Sequence, residues 1–506
     1  MRVTNTMVFN ASLNNIWRNA RHLNNLVTQI ETTQKIQRPS EDPMIANRAL
    51  RYRTILSEAE QFKSNNERGL AWMEVTESSF LNLLVGTPSN PSILQRMHNR
   101  LLQAAQTGTN YIENHRGMIN EMAQFLYQMT RIEMNQSYMG RYVFSGFHTD
   151  EPPVLHADRP NARYVIQQTF NRNDIDTTIA FHRSAPHLRP TTFEGVNIIN
   201  LPFTNVDFGT AVPGPPPSGG TGGAPALGIF LPPIPPATTP TAFPANIYTF
   251  NSLDEDAYNV PNGPDDPPTI HHVRDTGELI LNEAAKALFR DGVTINFQKN
   301  GLQEGELNPR VYFPSWDLNN NGHHFNAAQQ NIQLEISANT HMTINSHASN
   351  VVTDKLFADM RRLIDFVNSL QTTDPLILRE FYSGPPNSFS GDELEEAVSR
   401  FLSDELGFLS GMIHDRIDNM IESLERHINQ AQHQHTNLGS RMNRLDMVQI
   451  RLEEDEIAYT ALLSETIDTD IAGTIVRKNG AEAAFQNALF AISRATQLSL
   501  ADFINR

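Results

Sequence analysis

The sequence predicts an α+β protein: an elongated multidomain hairpin, with N- and C-terminal coiled-coil helices and a helical-bundle rod flanking an inserted β-rich domain. Three observations predict it. Apolar residues recur at alternating spacings of four and three at both chain ends, helical periodicity continues inward from each end, and residues 150–350 change to short alternating segments bounded by turn residues. At 506 residues the chain also exceeds the roughly 250–300 at which a single core divides.

The first seam is Phe9, Leu13, Ile16, Ala20, Leu23, Val27 and Ile30. It leaves a narrow apolar stripe among Asn, Arg, Gln and Thr, so the helix that carries it needs a partner helix. The opposite end supplies one. Ile467, Ile471, Thr474, Lys478, Ala481, Phe485, Ala488, Ile492 and Ala495 keep the same alternation, interrupted by Thr474 and Lys478 and loosened by Gly473 and Gly480. Small alanines permit close approach, while an interior glycine costs about 1 kcal/mol relative to alanine. Complementary seams at the two ends imply a chain that leaves one place and returns to it.

Between the seams, Gln37–Pro43 breaks the first helix, with Ser40 or Asp42 placed to cap the next. Helix is expected over about 44–85 and again within 92–138, and the extended stretch Arg141–Phe144, bounded by Gly140 and Gly146, closes the helical region. Strand signals follow at Tyr164–Ile166, Ile179–Phe181, Gly195–Ile199, Gly292–Phe297 and Ile332–Ile336. The proline- and glycine-rich tract 211–245 reads as a polyproline-like surface excursion. Helix returns with Leu356, Met360, Leu363, Val367 and Leu370. It then dominates from Asp392 to about 466, where Leu438, Leu445, Leu452 and Tyr459 are spaced by seven. The expected domains are 1–37 plus 465–506, 44–149 plus 352–464, and the insertion 150–351.

Composition excludes several function classes. A formal charge of −17 argues against a general nucleic-acid binder, although residues 1–40 are locally basic (Arg2, Arg18, Arg21, Lys35 and Arg38 against Glu31) and acids gather in 252–283 and 450–470. No run of apolar residues is long enough to span a bilayer, so membrane insertion is not expected, and the N-terminus lacks the pattern of a secretory signal peptide. The absence of cysteine excludes disulfides, thiolate metal sites and cysteine nucleophiles.

No chemistry-bearing motif stands out, and no catalytic, cofactor or metal site is expected. The Gly219–Gly223 tract lacks the lysine of a phosphate-binding loop. His427, His433 and His435 are spaced off one helical face and read as solvated. Asp317–Gly322 resembles the opening of a calcium loop, but Ala328 stands where the closing glutamate belongs, so a turn is expected. Glu453, Glu454, Asp455 and Glu456 diverge around a helix and read as solvated.

Four segments, in order, carry a family likeness. Arg38-Pro39-Ser40-Glu41-Asp42-Pro43 resembles the P-S-D-D-P loop after the first helix of FlgL-type hook-filament junction proteins (hook-associated protein 3), members of the flagellin superfamily. Glu41 is a conservative departure. Gly140–Gly146, with Tyr142, Phe144 and Gly146, resembles that family's G-x-Y-[LV]-F-[AS]-G segment. Leu438–Leu445, with Gly439, Arg441 and Asn443, resembles V-G-x-R-x-N-x-[LI], and Leu498–Ile504 resembles Q-x-S-L-x-D-[YF]. Flagellin shares the terminal-helix pattern but has an A-x-D-D-A-A-G type loop and a leucine-rich end.

The resemblance covers about 1–150 and 350–506. It implies a non-enzymatic, extracellular subunit of the bacterial flagellum, exported without a cleaved signal through the flagellar type III apparatus. The implied partners are further copies of itself in a ring-like oligomer, the first hook-associated junction protein, flagellin, and an export chaperone at the C-terminal segment. The assembly seam is expected to comprise Phe9, Leu13, Ile16, Leu23, Val27, Ile30, Ile467, Ile471, Phe485 and Ile492.

Overall fold

The computed structural model describes all residues except 1–4, 88–89, 107–111, 183–190, 209–224, 233–240, 245, 253, 255, 290–291, 327–330, 371, 386 and 505–506. The fold is α+β. The chain forms two compact units, one of residues 1–68, 335–341 and 444–506, the other of 69–334 and 342–443.

The N-terminal half begins with α1 (Asn5–Thr32) and α2 (Pro43–Phe80). A π-helical turn, Leu81–Val85, extends α2 into the small hairpin β1 (Gly86–Thr87) and β2 (Asn90–Pro91). Then come α3 (Ile93–Gln106) and α4 (Ile112–Tyr127), the latter extended by a second π turn, Gln128–Glu133. The two π turns pack on each other, and Asn82 Nδ2 donates to the buried Glu133 carboxylate at 3.2 Å. A tight hairpin of β3 (Ser137–Tyr138) and β4 (Arg141–Tyr142) turns at Met139 and Gly140, both at positive φ, a geometry that favours glycine at the second position. Strand pairing therefore stops at Tyr142, and Val143–Gly146 form turns rather than the expected extended stretch.

The insertion supplies β5 (Arg159–Phe170), β6 (Asp176–His182), β7 (Thr191–Asn200), β8 (Val206–Asp207), β9 (Gly228–Leu231), β10 (Thr241–Ala242), β11 (Asn246–Phe250), β12 (Thr269–Val273) and β13 (Glu278–Leu281). Next come α5 (Glu283–Ala287), β14 (Val293–Leu302), α6 (Pro309–Tyr312), β15 (Ser315–Asp317), β16 (His323–Phe325), β17 (Gln333–Ser337) and β18 (Thr340–Thr343). One sheet runs β10-β9-β14-β5-β15-β16 with β8 also on β14, and a second runs β11-β12-β13-β7-β6. All five strand signals coincide with strands, apart from Gly292 and Ile332, which lie one residue before β14 and β17. The 211–245 tract, however, is not solely a surface excursion. Ile229 and Phe230 are buried, β9 pairs with β14, and β10 pairs with β9, because the apolar run Gly228–Leu231 gains more by completing the sheet than the flanking prolines cost. The Gly214–Gly223 run lies outside the described residues.

After α7 (Ala348–Val351), the chain resumes helix with α8 (Asp354–Ser369), α9 (Pro375–Ser383), α10 (Asp392–Ile467) and α11 (Ile471–Ile504). Leu356, Met360, Leu363, Val367 and Leu370 are all buried, and α8 packs on α4 and β7.

A charged core joins the five-stranded sheet to α8. Glu278 of β13 is fully buried and accepts from Arg362 Nε at 3.0 Å, from the Tyr258 hydroxyl at 2.9 Å and from Thr276 Oγ1 at 3.1 Å, with Arg416 Nη1 at 4.0 Å. Burial alone would raise this carboxyl, but the charges of Arg362 and Arg416 and the hydrogen bonds from Arg362 and Tyr258 hold it down at about 2.

A carboxyl held below its ordinary value contributes stability that is present above about pH 4.5 and is lost as pH falls toward 2. Glu278→Gln, which strands two buried guanidinium groups, should cost about 3 kcal/mol or more at neutral pH. Urea unfolding at pH 7 checks this, and the gap between wild type and variant should narrow as pH is lowered below about 4.5. Coincident midpoints at pH 7 would contradict the assignment.

Candidate assembly surface

α1 and α11, more than four hundred residues apart in sequence, lie against each other within the first unit. Leu13, Ile16, Leu23, Val27 and Ile30 from α1, with Phe485 and Ile492 from α11, are half-buried, and Leu26 is buried at 4 % exposure. The side chains of Phe9 and Ala495 lie outside the described residues, as do those of the Leu498–Ile504 motif.

Two corrections to the sequence reading follow. The C-terminal seam is not one helix: Ile467, buried, ends α10, and Ile471, 45 % exposed, begins α11 after a break at Asp468–Asp470. Asp470 Oδ1 accepts from the Gly473 N–H at 3.2 Å and its carbonyl from the Thr474 N–H at 2.9 Å, so a competing cap interrupts the run. Thr474 does not interrupt the seam but is fully buried in it, since threonine is small enough for a close approach. Lys478 is half-buried and satisfies its charge with Glu482 at 2.9 Å.

The break is where the two ends of the chain are stitched. Lys35 N–H donates to the Ile467 carbonyl at 2.6 Å, Thr469 N–H donates to the Thr33 carbonyl at 2.8 Å, and Gln34 and Asp468 form an isolated antiparallel bridge. Thr33 takes a positive φ of 60° to turn there. Lys35 Nζ adds a bond to the Glu465 carbonyl. The Arg38–Pro43 loop follows directly, and of its two candidate caps Asp42 is the one used. Its Oδ1 accepts from Met44 and Ile45 N–H at 2.9 and 3.1 Å, with Pro43 at the first helical position. Pro39 and Ser40 are exposed.

Pairing leaves apolar surface uncovered. On α11, Val476 is 71 % and Phe490 70 % exposed, with Ile475 and Leu489 also exposed, and on α1 Met7 and Trp17 are exposed. Val476, Ala483 and Phe490 repeat at seven, a second stripe that is legible in the sequence but is hidden by the stronger first one. Farther along the same unit, Tyr52 meets Tyr459 with ring centroids 6.1 Å apart, and Lys63 binds Glu453 and Glu456, so two of the acids expected to be merely solvated are paired. Leu445 and Leu452 are buried, whereas Met447, Ile450 and Ile457 stay exposed.

In the second unit, Phe144 is buried edge-on to Phe80 at 6.2 Å and its carbonyl accepts from Ala348 N–H, Tyr142 reaches His156 at 3.3 Å, and Gly146 sits at φ 61°. Arg441 Nη1 donates to the Thr343 and Asn345 carbonyls at 3.0 and 2.9 Å, tying down the exit of the insertion. Asn443 is exposed, and a Cβ on Gly439 would meet nothing within 4 Å.

The histidine reading needs correction, since His427 is buried against Thr353, with its Nδ1 2.8 Å from the hydroxyl, and burial pushes it down to about 4. His435 binds Glu77 at 2.8 Å and stacks on Phe80. Asp317–Gly322 is a turn in which Asp317 takes an ion pair from Arg310 at 2.8 Å. Among the described residues, no group of three or more His, Asp or Glu side chains converges on a common point, and no helix is long and apolar enough to cross a membrane.

Residues 3–149 match the family model of the bacterial flagellin N-terminal helical region. A comparison with curated protein sequences gives no match. Solved structures similar to the chain include a protein of Vibrio parahaemolyticus assigned as flagellar hook-associated (TM-score 0.34, 11 % identity, covering 85 % of this chain and 100 % of that one). FlgL of Xanthomonas campestris gives a TM-score of 0.31 at 8 % identity, covering 81 % and 98 %. The flagellar junction protein FlgL of Legionella pneumophila gives 0.27 at 12 %, covering 84 % and 100 %.

Two substitutions of opposite sign test the local assignments. Asp42→Ala should cost about 1 kcal/mol through the lost cap, and Gly439→Ala should stabilise the isolated chain by about 0.5–1 kcal/mol. Thermal unfolding of the purified protein reads both, and a destabilising Gly439→Ala would show that the space beside this glycine is not free.

Proposed function

We propose that the chain is a structural subunit of the bacterial flagellum that joins hook to filament. The observation that carries this reading is the match of residues 3–149 to the flagellin N-terminal helical region, combined with a helix pair built from the two chain ends that still exposes a second apolar stripe. Apolar surface left on a paired helix is what a polymerising subunit buries against its neighbours.

The four motif segments that resemble FlgL-type proteins favour the junction over the filament itself. On this reading the subunit assembles as a ring-like oligomer outside the cell, between the first hook-associated junction protein and flagellin. It arrives unfolded through the flagellar export channel with a chaperone on its C-terminal segment, and it does no catalysis. Glycines within α11 weaken that helix alone by about 1 kcal/mol each, which suits a segment ordered by its neighbours.

Cells whose chain lacks residues 1–35 or 470–506 should build hooks and secrete filament protein without attaching it, as seen by electron microscopy. The paired change Val476→Asp with Phe490→Asp should do the same while leaving the isolated protein's helix content intact by circular dichroism. Normal filaments on either strain would overturn the reading. If the purified chain alone polymerises into long filaments, it is a flagellin-like filament subunit instead.

A further inference from the structure

The five-stranded sheet has two edges of different character. At the β6 edge, helix α10 occupies the outward backbone groups: Asp415 Oδ2 accepts from the Ile179 N–H at 3.3 Å and from Thr178 Oγ1 at 2.7 Å, and Asn419 Nδ2 donates to the Thr177 carbonyl at 3.3 Å. Such cover is how sheets usually prevent unwanted pairing.

The β11 edge has no such cover among the described residues. β11 runs parallel to β12, with the Asn246 N–H bonded to the Pro268 carbonyl and the Arg274 N–H bonded to the Phe250 carbonyl. The alternation of a parallel ladder then turns residues 246, 248 and 250 toward β12, and turns the N–H and C=O of Ile247 and Thr249 away from it. Among the described residues these four groups have no hydrogen-bond partner.

The strand itself, Asn246-Ile247-Tyr248-Thr249-Phe250, carries no charge or proline to discourage pairing. Its two aromatic rings, Tyr248 (50 % exposed) and Phe250, rest on the buried His271 at 5.8 and 4.6 Å, a firm floor for the side chains of an added strand. The end strands of the larger sheet, β10 and β16, are only two and three residues long.

The flanking segments are predominantly acidic. Near the C-terminal end of β11, Asp254 accepts from the Asn251 N–H and Asp275 from the Ser252 N–H. Asp256 follows, and Asp265 and Asp266 shortly precede Pro268, which bonds to the strand's start. Against these five acids, Arg274 is the only lysine or arginine between residues 246 and 276.

We propose that β11 is a docking edge for an extended basic peptide of a partner chain, which adds to this sheet as a further strand. Main-chain hydrogen bonds to Ile247 and Thr249 give the affinity, and the acidic rim selects positive flanks. The inference stands apart from the assembly reading, which concerns the terminal helices.

The test titrates the full-length chain into a fluorescently labelled peptide of alternating Thr and Val flanked at both ends by lysine pairs, followed by polarisation. Saturable binding is expected. Thr249→Pro, which removes an edge N–H without touching the β12 ladder, and Thr249→Lys, which keeps the backbone but adds like charge, should each weaken it about tenfold. Salt raised to about 0.5 M should weaken it too. Equal binding by both variants, equal binding of a glutamate-flanked peptide, or no saturation at about millimolar peptide would overturn the proposal. So would concentration-dependent self-association in sedimentation that Thr249→Lys abolishes, since the occupant would then be a second copy.

Discussion

Everything in the first unit depends on the meeting of residues 33–35 with 467–469. Two backbone hydrogen bonds there, which together make one antiparallel bridge, close a loop of more than four hundred residues. Closure entropy grows only as the logarithm of length, each doubling adding about 0.6 kcal/mol, so a large insertion between the two ends adds little to what that meeting costs. The helix pair α1 and α11 extends the same junction in the sequence-distant direction. Its stability comes from a seam that is half-buried rather than sealed, a state with little reserve until more surface is covered.

The second unit solves a different problem. Its five-stranded sheet is fixed to helices by buried charge: Glu278 to Arg362 and Arg416, and Asp176 to Lys355 Nζ at 2.9 Å, which also reaches Asp359 of its own helix at 3.4 Å. Removing one partner from such a set is far more damaging than the set is stabilising, which makes these contacts determinants of one arrangement more than sources of affinity. Arg441 acts similarly without a carboxylate, its Nη1 donating to two carbonyls and its Nη2 to the Ser346 hydroxyl where the chain leaves the insertion.

The helical flanks were legible because their periodicity is local and repeated. Leu356 through Leu370 and Leu438 through Leu452 gave their buried faces directly from spacing. The β region was legible as strands but not as pairings, because an order such as β9-β14-β5 is set by contacts between residues 64 to 143 positions apart. β9 was missed since Gly228–Leu231 is short and surrounded by proline, so composition outweighed four apolar residues. His427 was misread for a related reason: helical phase shows which residues share a face but not whether a neighbouring segment, here Thr353 at the start of α8, covers it. At the terminal surface the first stripe was legible, while Val476 and Phe490 gained their meaning only once α1 was seen to occupy the other side of α11.

The paired π turns at Leu81–Val85 and Gln128–Glu133 bear on how this protein can change over evolutionary time. A residue gained or lost in a regular helix rotates everything beyond it by about 100° and moves its buried face off the core. A π turn already holds one surplus residue in a widened loop of backbone. A deletion within Leu81–Val85 would be absorbed as that turn tightened to ordinary helix, provided that the Asn82–Glu133 hydrogen bond was replaced. The two turns are thus the positions in these helices where chain length is least tightly coupled to the rest of the fold.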